Sequence, residues 1–103
     1  MAVNRSTDRI YVANYDPNTV SVIDGKNNHV IHTIGVRRSP LGVGINRSTD
    51  RIYVANYDDN TVSVIDGKNN HVIHTVNVGV NPSGVSVNRS TDRIYVANSG
   101  ANV

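Results

Sequence analysis

An eleven-residue segment, Asn-Arg-Ser-Thr-Asp-Arg-Ile-Tyr-Val-Ala-Asn, occurs three times in this chain at a constant spacing of 42 residues, beginning at Asn4, Asn46 and Asn88. A period of this length is typical of a repeat array, in which each unit buries its apolar face against the neighbouring units. The array is predicted to be one domain with two full units and one partial unit: residues 1–103, divided as 4–45, 46–87 and 88–103.

Each full unit contains four short runs that predict β-strands. In one of them Val62 and Val64 alternate with Thr61 and Ser63, which is the period of two expected of a strand with one exposed face. The Asp66-Gly67 pair that follows predicts a tight hairpin in which the glycine takes a positive φ. No helix longer than one turn is expected. The predicted strands are Ile10 to Asn14, Val20 to Asp24, Val30 to Ile34, Val43 to Ile45, Ile52 to Asn56, Val62 to Asp66, Val72 to Val76, Val85 to Val87 and Ile94 to Asn98.

Four strands joined in sequence by hairpins form an up-and-down antiparallel meander, and a period in the low forties is typical of β-propeller blades. The predicted fold class is therefore all-β, with four-stranded antiparallel blades. Propellers close with at least four blades, which at this period would require about 168 residues. Since the chain has 103 residues, it supplies about two and a half blades. One chain is expected to form an incomplete ring.

Composition excludes several classes of function. The chain has no cysteine, which removes disulfides, thiolate-bound zinc and a cysteine nucleophile. No apolar run approaches the eighteen or so residues that span a bilayer, so no membrane insertion is expected, and the first residues lack the pattern of a signal peptide. The net charge of +2 comes from segments in which acids and bases alternate, which indicates a solvated surface. Arg37-Arg38 has no interleaved aromatic residue, so no nucleic-acid partner is predicted.

Candidate metal and catalytic motifs are weak. His29 and His32, repeated as His71 and His74, are three residues apart, so on a regular strand they face opposite sides and are not expected to share a metal ion. Residues 58–60, Asp-Asp-Asn, either hold calcium or only form a turn, and they lack the glycine and terminal glutamate of a calcium loop. There is no glutamate and no Gly-x-Ser-x-Gly motif. We predict no catalytic residue, metal or cofactor.

The two full units are identical at all but nine of their 42 positions, and eight of the nine differences lie between Ile34 and Ile45. Such similarity indicates either recent duplication or deliberate design, or else weak selection on individual units. Both interpretations argue against an enzyme, because an active site on a propeller requires different residues from different blades to converge near the axis. The variable stretch is the connection from an outer strand to the next inner strand.

The runs Arg-Ile-Tyr-Val-Ala-Asn, Asn-Thr-Val-Ser-Val-Ile-Asp-Gly-Lys and Asn-Pro-Ser-Gly-Val-Ser-Val-Asn resemble the YVTN-type β-propeller repeat of archaeal and bacterial surface-layer and secreted proteins. The resemblance covers nearly the whole chain and departs from the family pattern at Ala13, Ala55 and Ala97, where the family has threonine. It implies an all-β propeller, commonly of seven blades, often extracellular and used for binding or cell-surface architecture. It does not imply one activity, because propellers carry many functions.

Two kinds of surface site are predicted. In propellers the variable connection lies on the face where ligands usually dock, so it is a candidate binding loop for a protein or a glycan, although loops also vary because they tolerate change. The Asn-x-Ser triplets at Asn4, Asn46 and Asn88 match the N-glycosylation pattern, and the alternative is a polar hairpin turn. The candidate binding residues are Arg37, Arg38, Ser39, Val80, Asn81 and Ser83.

The predicted function is a non-enzymatic structural and interaction module whose partner is itself. Tyr11, Tyr53 and Tyr95 are expected to fill the space between adjacent blades, with their hydroxyls at a polar edge. A half-built blade leaves unpaired backbone groups and an apolar face, which another copy can cover. The alternative is an inactive fragment of a propeller enzyme, lactonase-like or lyase-like.

The repeat phase limits how such copies could combine. Residues 85–103 have the same phase as residues 1–19, so each chain adds two blades to a closed ring. A trimer would then have six blades and a tetramer eight, with one redundant half-blade per chain displaced or swapped. The alternative is an open dimer in which two carboxy-terminal half-blades pair.

Overall fold

The computed structural model describes residues 1–100, and within that range the chain forms ten β-strands and no helix. All nine predicted strands are present. The additional strand, β1, was not predicted because only three residues of it precede the first turn. The strands are β1 (Ala2–Asn4), β2 (Arg9–Asn14), β3 (Thr19–Asp24), β4 (His29–Gly35), β5 (Pro40–Asn46), β6 (Arg51–Asn56), β7 (Thr61–Asp66), β8 (His71–Asn77), β9 (Pro82–Asn88) and β10 (Arg93–Asn98).

The strands form three antiparallel sheets in chain order. The first sheet is β1-β2-β3-β4, the central sheet is β5-β6-β7-β8, and the third sheet contains only β9 and β10 among the described residues. Every neighbour in a sheet is also the next strand in sequence, so the predicted meander is confirmed. The last three residues of the partial repeat, 101–103, lie outside the described residues.

Both β5 and β9 begin three residues earlier than predicted, at Pro40 and Pro82. Proline is acceptable at the first residue of a strand because that position need not donate to the ladder. The register of both strands shifts near this end: between Pro40 and Val43 on β5, and between Ala97 and Asn98 on the strand paired with β9. The inner strands are therefore longer than the alternation of apolar residues alone indicated.

The hairpin turns use asparagine and aspartate, and not glycine, for the left-handed backbone conformation. In the turn of residues 67–70, Asn70 has a φ of 60°, and no described glycine has a positive φ. The predicted hairpin is present, but the expected positive φ at Gly67 is wrong. Gly67 instead approaches the neighbouring turn closely: its amide donates to the Asp50 carbonyl at 2.8 Å, and a Cβ there would collide with the Asp50 side chain.

The hydrophobic core lies between the first and the central sheets. Tyr11 is fully buried there, which confirms that a tyrosine fills the space between adjacent sheets. Its hydroxyl is buried without a hydrogen bond of good geometry, and the Arg9 side chain lies close enough to influence its pKa. No helix in residues 1–100 is long and apolar enough to cross a membrane. The core residues are Tyr11, Val20, Val22, Ile34, Ile52, Val54 and Ile65, with Val36, Val43 and Ile45 packed against them.

Candidate functional site

A charged loop cluster joins the first and central sheets at one end of the strands. We define the loop cluster as Arg37, Arg38 and Ser39, from the β4–β5 connection, together with Asp58 and Asp59 of the β6–β7 turn. Arg37 Nε donates to Asp59 Oδ2 at 2.9 Å, and Arg38 Nε lies 3.6 Å from Asp59 Oδ1. The hydrogen bond from Arg37 lowers the pKa of Asp59. Burial opposes this shift, and the Thr61 hydroxyl and the two arginine charges lower the pKa further. Ion pairs between the two arginines and Asp59 therefore hold the loop cluster together.

Ser39 is the buried centre of the loop cluster. It has a φ of 60°, and its backbone amide donates to Asn18 Oδ1 at 3.0 Å. Its carbonyl accepts from the Tyr57 amide at 2.8 Å, and its hydroxyl bonds the Asp58 carboxylate. These bonds tie the connection to turns of both sheets, so the connection is well fixed.

Within residues 1–100, the equivalent junction between the central and third sheets has no charged pair. Asn81 takes the place of Ser39: its amide donates to Asn60 Oδ1 at 3.0 Å, and its carbonyl accepts from the Ser99 amide at 2.9 Å. Val80 packs closely against Gly100, since a Cβ added to Gly100 would lie 2.8 Å from the Val80 side chain. The six candidate binding residues are thus divided between two junctions, with Arg37, Arg38 and Ser39 at one and Val80, Asn81 and Ser83 at the other.

Sequence reasoning missed the contact between the arginines and Asp59. A signal was present, because eight of the nine differences between the full units lie in residues 34–45 and the ninth is Asp59, where the first unit has Pro17. The structure places this isolated difference against Arg37 and Arg38. Asp59, Arg37 and Arg38 all differ from the other full unit, and Asp59 lies far from the two arginines in sequence, yet they are in contact in the structure. Random variation in a tolerant loop does not by itself produce such a contact.

At the opposite end of the strands, the Asn-Arg-Ser-Thr-Asp turns are linked from one sheet to the next. Asn4 Nδ2 donates to Asp50 Oδ1 at 3.2 Å, and Asn46 Nδ2 donates to Asp92 Oδ1 at 2.6 Å. Each of the two asparagines also accepts from the amide two residues later, and both are buried. A glycan on either amide nitrogen would have to break this link, whereas Asn88 is exposed.

The same turns bring arginines of successive units near one another. Arg89 lowers the pKa of Arg47, with smaller contributions from lost hydration and from Arg5. Like charges in successive turns therefore line one end of the array, and the Asn–Asp links hold these turns together despite the repulsion.

The histidine pairs do not face opposite sides, so that part of the sequence analysis is wrong. His29 lies opposite Asp24 and His32 lies opposite Val22, with a register shift that leaves Ile31 unpaired. Because Asp24 and Val22 are two residues apart on β3, they share a face, and the bulge puts both imidazoles on that face. The same bulge occurs in β8. Residues 1–100 contain no group of three or more histidine and acidic side chains placed to hold a metal.

The third sheet borders an apolar groove of about 250 Å³. Val62, Val64 and Val76 of the central sheet form one wall, and Ile94 and Val96 of β10 form part of the other. We call this the blade groove. Its full lining is Tyr53, Val62, Val64, Val76, Val78, Ile94 and Val96.

The blade groove is the repeat equivalent of the core between the first and central sheets. Subtracting the 42-residue period from its seven lining residues gives Tyr11, Val20, Val22, Ile34, Val36, Ile52 and Val54, all of which belong to that core or pack on it. The core contains one further residue, Ile65 of β7, whose equivalent would lie on a strand next to β10. Val76 is 47% exposed whereas its equivalent Ile34 is 6% exposed. The groove is open where that strand would be.

A second concave surface lies on the outward face of the third sheet. It has a volume of about 430 Å³ and is formed by both strands, including Ser86 and Tyr95. The equivalent face of the central sheet is covered by β9, where a Cβ on Gly44 would come within 2.8 Å of the Val85 side chain. In the part of the chain that the structure describes, the third sheet therefore has two strands, and no sheet covers its outward face.

No protein-family model matches this chain, and no curated protein matches it. Solved structures do. Hydrazine synthase of Kuenenia stuttgartiensis superposes with a TM-score of 0.87 at 27% identity, over 90% of this chain and 26% of that one. A functionally unknown protein of Desulfotomaculum acetoxidans gives 0.83 at 16% identity, over 94% and 33%. The Cps50 (Swd1) β-propeller domain of Myceliophteria thermophila gives 0.77 at 16% identity, over 94% and 31%.

The chain spans a third or less of the length of each of these proteins. Its fold is all-β and built of antiparallel β-propeller blades, and one chain of 103 residues forms an incomplete ring, as predicted.

Proposed function

We propose that this chain is a non-enzymatic structural and interaction module that associates with further copies of itself to complete its third sheet. The observation that carries the proposal is the blade groove, whose residues are those of a formed core with one strand missing. Apolar surface of this kind gains free energy when it is removed from water. The sequence that fills the equivalent place in the core, Thr-Val-Ser-Val-Ile-Asp, occurs twice in the chain.

The outer edge of β10 supports the same proposal. Among the described residues β10 pairs only with β9, so no strand pairs with the backbone donors and acceptors along its other edge. Such an edge is a template for pairing with another chain. Two blades per chain then give closed rings of six blades in a trimer or eight in a tetramer, and pairing of two third sheets gives an open dimer instead.

The experiment that tests the proposal is a measurement of mass in solution by light scattering. We expect a multiple of 11.2 kDa at micromolar concentration for the full chain. Val96→Asp puts a charge into the blade groove and should dissociate the assembly, because an unpaired buried charge costs far more than the contact gains. Val80→Asp, at an exposed position outside the groove, is the matched control and should leave the mass unchanged. A folded monomer for the unaltered chain would contradict the proposal.

The finer assignment that we favour is the YVTN-type repeat family, with an extracellular or cell-surface location for the parent protein. It is supported by the three copies of Arg-Ile-Tyr-Val-Ala-Asn and by the propeller fold. A protein or glycan ligand would dock at the loop cluster, where Arg38 is exposed and offers donors. Arg38→Ala should then abolish binding in a glycan array or a pull-down with surface proteins. Lys26→Ala, which removes a positive charge from an exposed turn at the opposite end of the strands, is the matched control.

The alternative, an inactive fragment of a propeller enzyme, has one supporting observation, the 27% identity to hydrazine synthase. It is tested by assaying the assembled protein for turnover of lactone and glycoside substrates. Turnover that is lost in His32→Ala and His74→Ala variants would favour the enzyme.

A further inference from the structure

We propose that the copies assemble by strand exchange, in which β9 and β10 of one chain displace β1 and β2 of the next and complete its first sheet. The inference rests on the proposed self-association and specifies its joint. The occupant of the blade groove is then β3 of a second copy, with β4 following it.

The first step is that β10, at the open edge of the third sheet, has the same sequence as β2 and β6. Strands β2, β6 and β10 all read Arg-Ile-Tyr-Val-Ala-Asn. In the first sheet β2 pairs with β3 so that Val12 lies opposite Ser21, and in the central sheet Val54 lies opposite Ser63 in the same register. The free edge of β10 therefore offers β3 of another copy the same ladder, with Val96 opposite Ser21. Register is defined by the identical pattern of apolar residues.

The second step concerns the side chain that the groove lacks. Ile65 fills the core between the first and central sheets and is fully buried. Its equivalent on β3 is Ile23, which is half-buried because no sheet precedes the first one within the chain. When β3 of a second copy pairs with β10, its Ile23 faces the blade groove in the position that Ile65 occupies in the core. The same pairing therefore fills the open position in the blade groove and buries the Ile23 side chain.

The third step explains why β9 and β10 displace β1 and β2. Residues 88–98 are identical to residues 4–14, so the two segments offer β3 the same side chains. The inner strands differ, since β9 has seven residues and β1 has three. Exchange replaces a three-residue inner strand by a seven-residue one whose ladder with β10 is already formed in its own chain. The gain is therefore a longer inner strand against the next chain's central sheet, with every core residue of β2 replaced by its identical equivalent on β10.

The fourth step is that β9 already packs against the central sheet of its own chain. Ser83 and Gly84 lie so close to Gly42 that a Cβ there would collide with them, and Asn46 bonds Asp92 in the turn after β9. An assembly that stacked an intact first sheet of another copy on the central sheet would have to remove these contacts. Exchange keeps them and extends an interface that the chain already has.

The test uses the full chain, which has no cysteine of its own. In the Ser21→Cys/Val96→Cys double variant, the two residues lie opposite each other only if β3 of one chain pairs with β10 of another. Directly opposite Cα atoms are about 4.5–5.5 Å apart, which suits a disulfide. We expect mild oxidation to convert most of the protein into disulfide-linked multimers on a non-reducing gel.

Two controls separate exchange from other assemblies. Ser63→Cys/Val96→Cys is the matched control, because Ser63 already pairs with Val54 in the central sheet and should not be cross-linked to residue 96. Val12→Cys/Ser21→Cys should give little intrachain disulfide if β2 is displaced, and a complete one if it is not.

The outcomes distinguish the two proposals. A monomer by light scattering contradicts self-association and, with it, exchange. An oligomer in which the Ser21/Val96 variant is not linked, or is linked no more than the Ser63/Val96 control, contradicts exchange and leaves self-association standing. A linked oligomer with the control unlinked supports both.

Discussion

The same six residues, Arg-Ile-Tyr-Val-Ala-Asn, form the second strand of each sheet, and their surroundings differ. Tyr11 of the first sheet is fully buried, Tyr53 of the central sheet is half-buried, and Tyr95 of the third sheet is 56% exposed. Since the sequence is constant, the difference comes entirely from what the neighbouring sheets supply. Burial in this molecule is a property of position in the array, and each sheet contributes only as much stability as its neighbours allow.

The largest expected effect separates Ile65 from Ile23, which are the same residue in identical strands. Ile65→Ala should lower the free energy of unfolding by about 2–5 kcal/mol, because it leaves a cavity in a closed core. Ile23→Ala should cost clearly less within a dissociated chain, because Ile23 is only half-buried. Urea denaturation at concentrations below association measures both. Equal losses would mean that the outer face of the first sheet is covered within one chain.

A smaller difference is expected between Asn46 and Asn88. Asn46→Ala should destabilise the chain by about 1–3 kcal/mol, because the fully buried Asn46 side chain accepts from the Ser48 amide and donates to the Asp92 carboxylate. Asn88→Ala removes only a bond to the Ser90 amide in an exposed turn and should cost less than about 1 kcal/mol. Thermal denaturation of the two variants in parallel tests this, and similar shifts would show that the Asn–Asp link adds no stability.

The buried Tyr11 is expected to make the stability of the fold depend on pH in the alkaline range. Burial, followed by the Asp50 charge, raises the pKa of Tyr11, and Arg9 opposes the shift. Because the folded state holds this proton more tightly, the stability it contributes is complete below the unfolded pKa of about 10 and is lost as pH rises through the folded value. Tyr11→Phe should remove this part of the alkaline loss. At pH 7 the variant should be neutral or more stable by about 1 kcal/mol, since an unpaired buried hydroxyl is removed.

The smallest effect concerns the two junctions at the loop cluster end. Asp59→Asn should cost about 0.2–1 kcal/mol, less at high salt, because the paired Arg37 and Arg38 side chains are largely solvent-exposed. Since the arginine lowers the pKa of Asp59, its contribution is present above the unfolded carboxylate value and is lost as pH falls. Acid denaturation of Asp59→Asn should therefore begin from a lower stability and show a weaker dependence on pH. An unchanged acid profile would contradict a role for this pair.

Much of the fold could be predicted from the sequence, because repetition and strand periodicity are local properties. The turns illustrate the limit. The Asp66-Gly67 pair correctly indicated a hairpin, but four-residue turns place the left-handed residue at their end, where Asn70 stands. Glycine is needed at 67 for a different reason, its close approach to the Asp50 turn of the same sheet, and such a contact between turns has no local signature.

The candidate site was less predictable, because its contacts depend on how separate strands and turns come together. The bulges at Ile31 and Ile73, which bring the histidines to one face, depend on how the outer strands pair and leave no mark in an alternating pattern. The pairing of Arg37 and Arg38 with Asp59 joins residues of different units, which only the sheet arrangement brings together. The burial of Asn4 and Asn46 likewise depends on the following unit, so their triplets could not be told from that of Asn88 by sequence.

The Asn–Asp links have a consequence for how the molecule opens. Each link joins a unit only to the next one, with partners 46 residues apart, so structure is transmitted from neighbour to neighbour as in a one-dimensional lattice. Opening then begins at the free ends and moves inward. In the dissociated chain, backbone amides of β6 and β7 exchange with deuterium most slowly, and those of β10 exchange most quickly. Adding a further unit converts one end unit into an interior unit, so the free energy of unfolding grows in equal steps with repeat number.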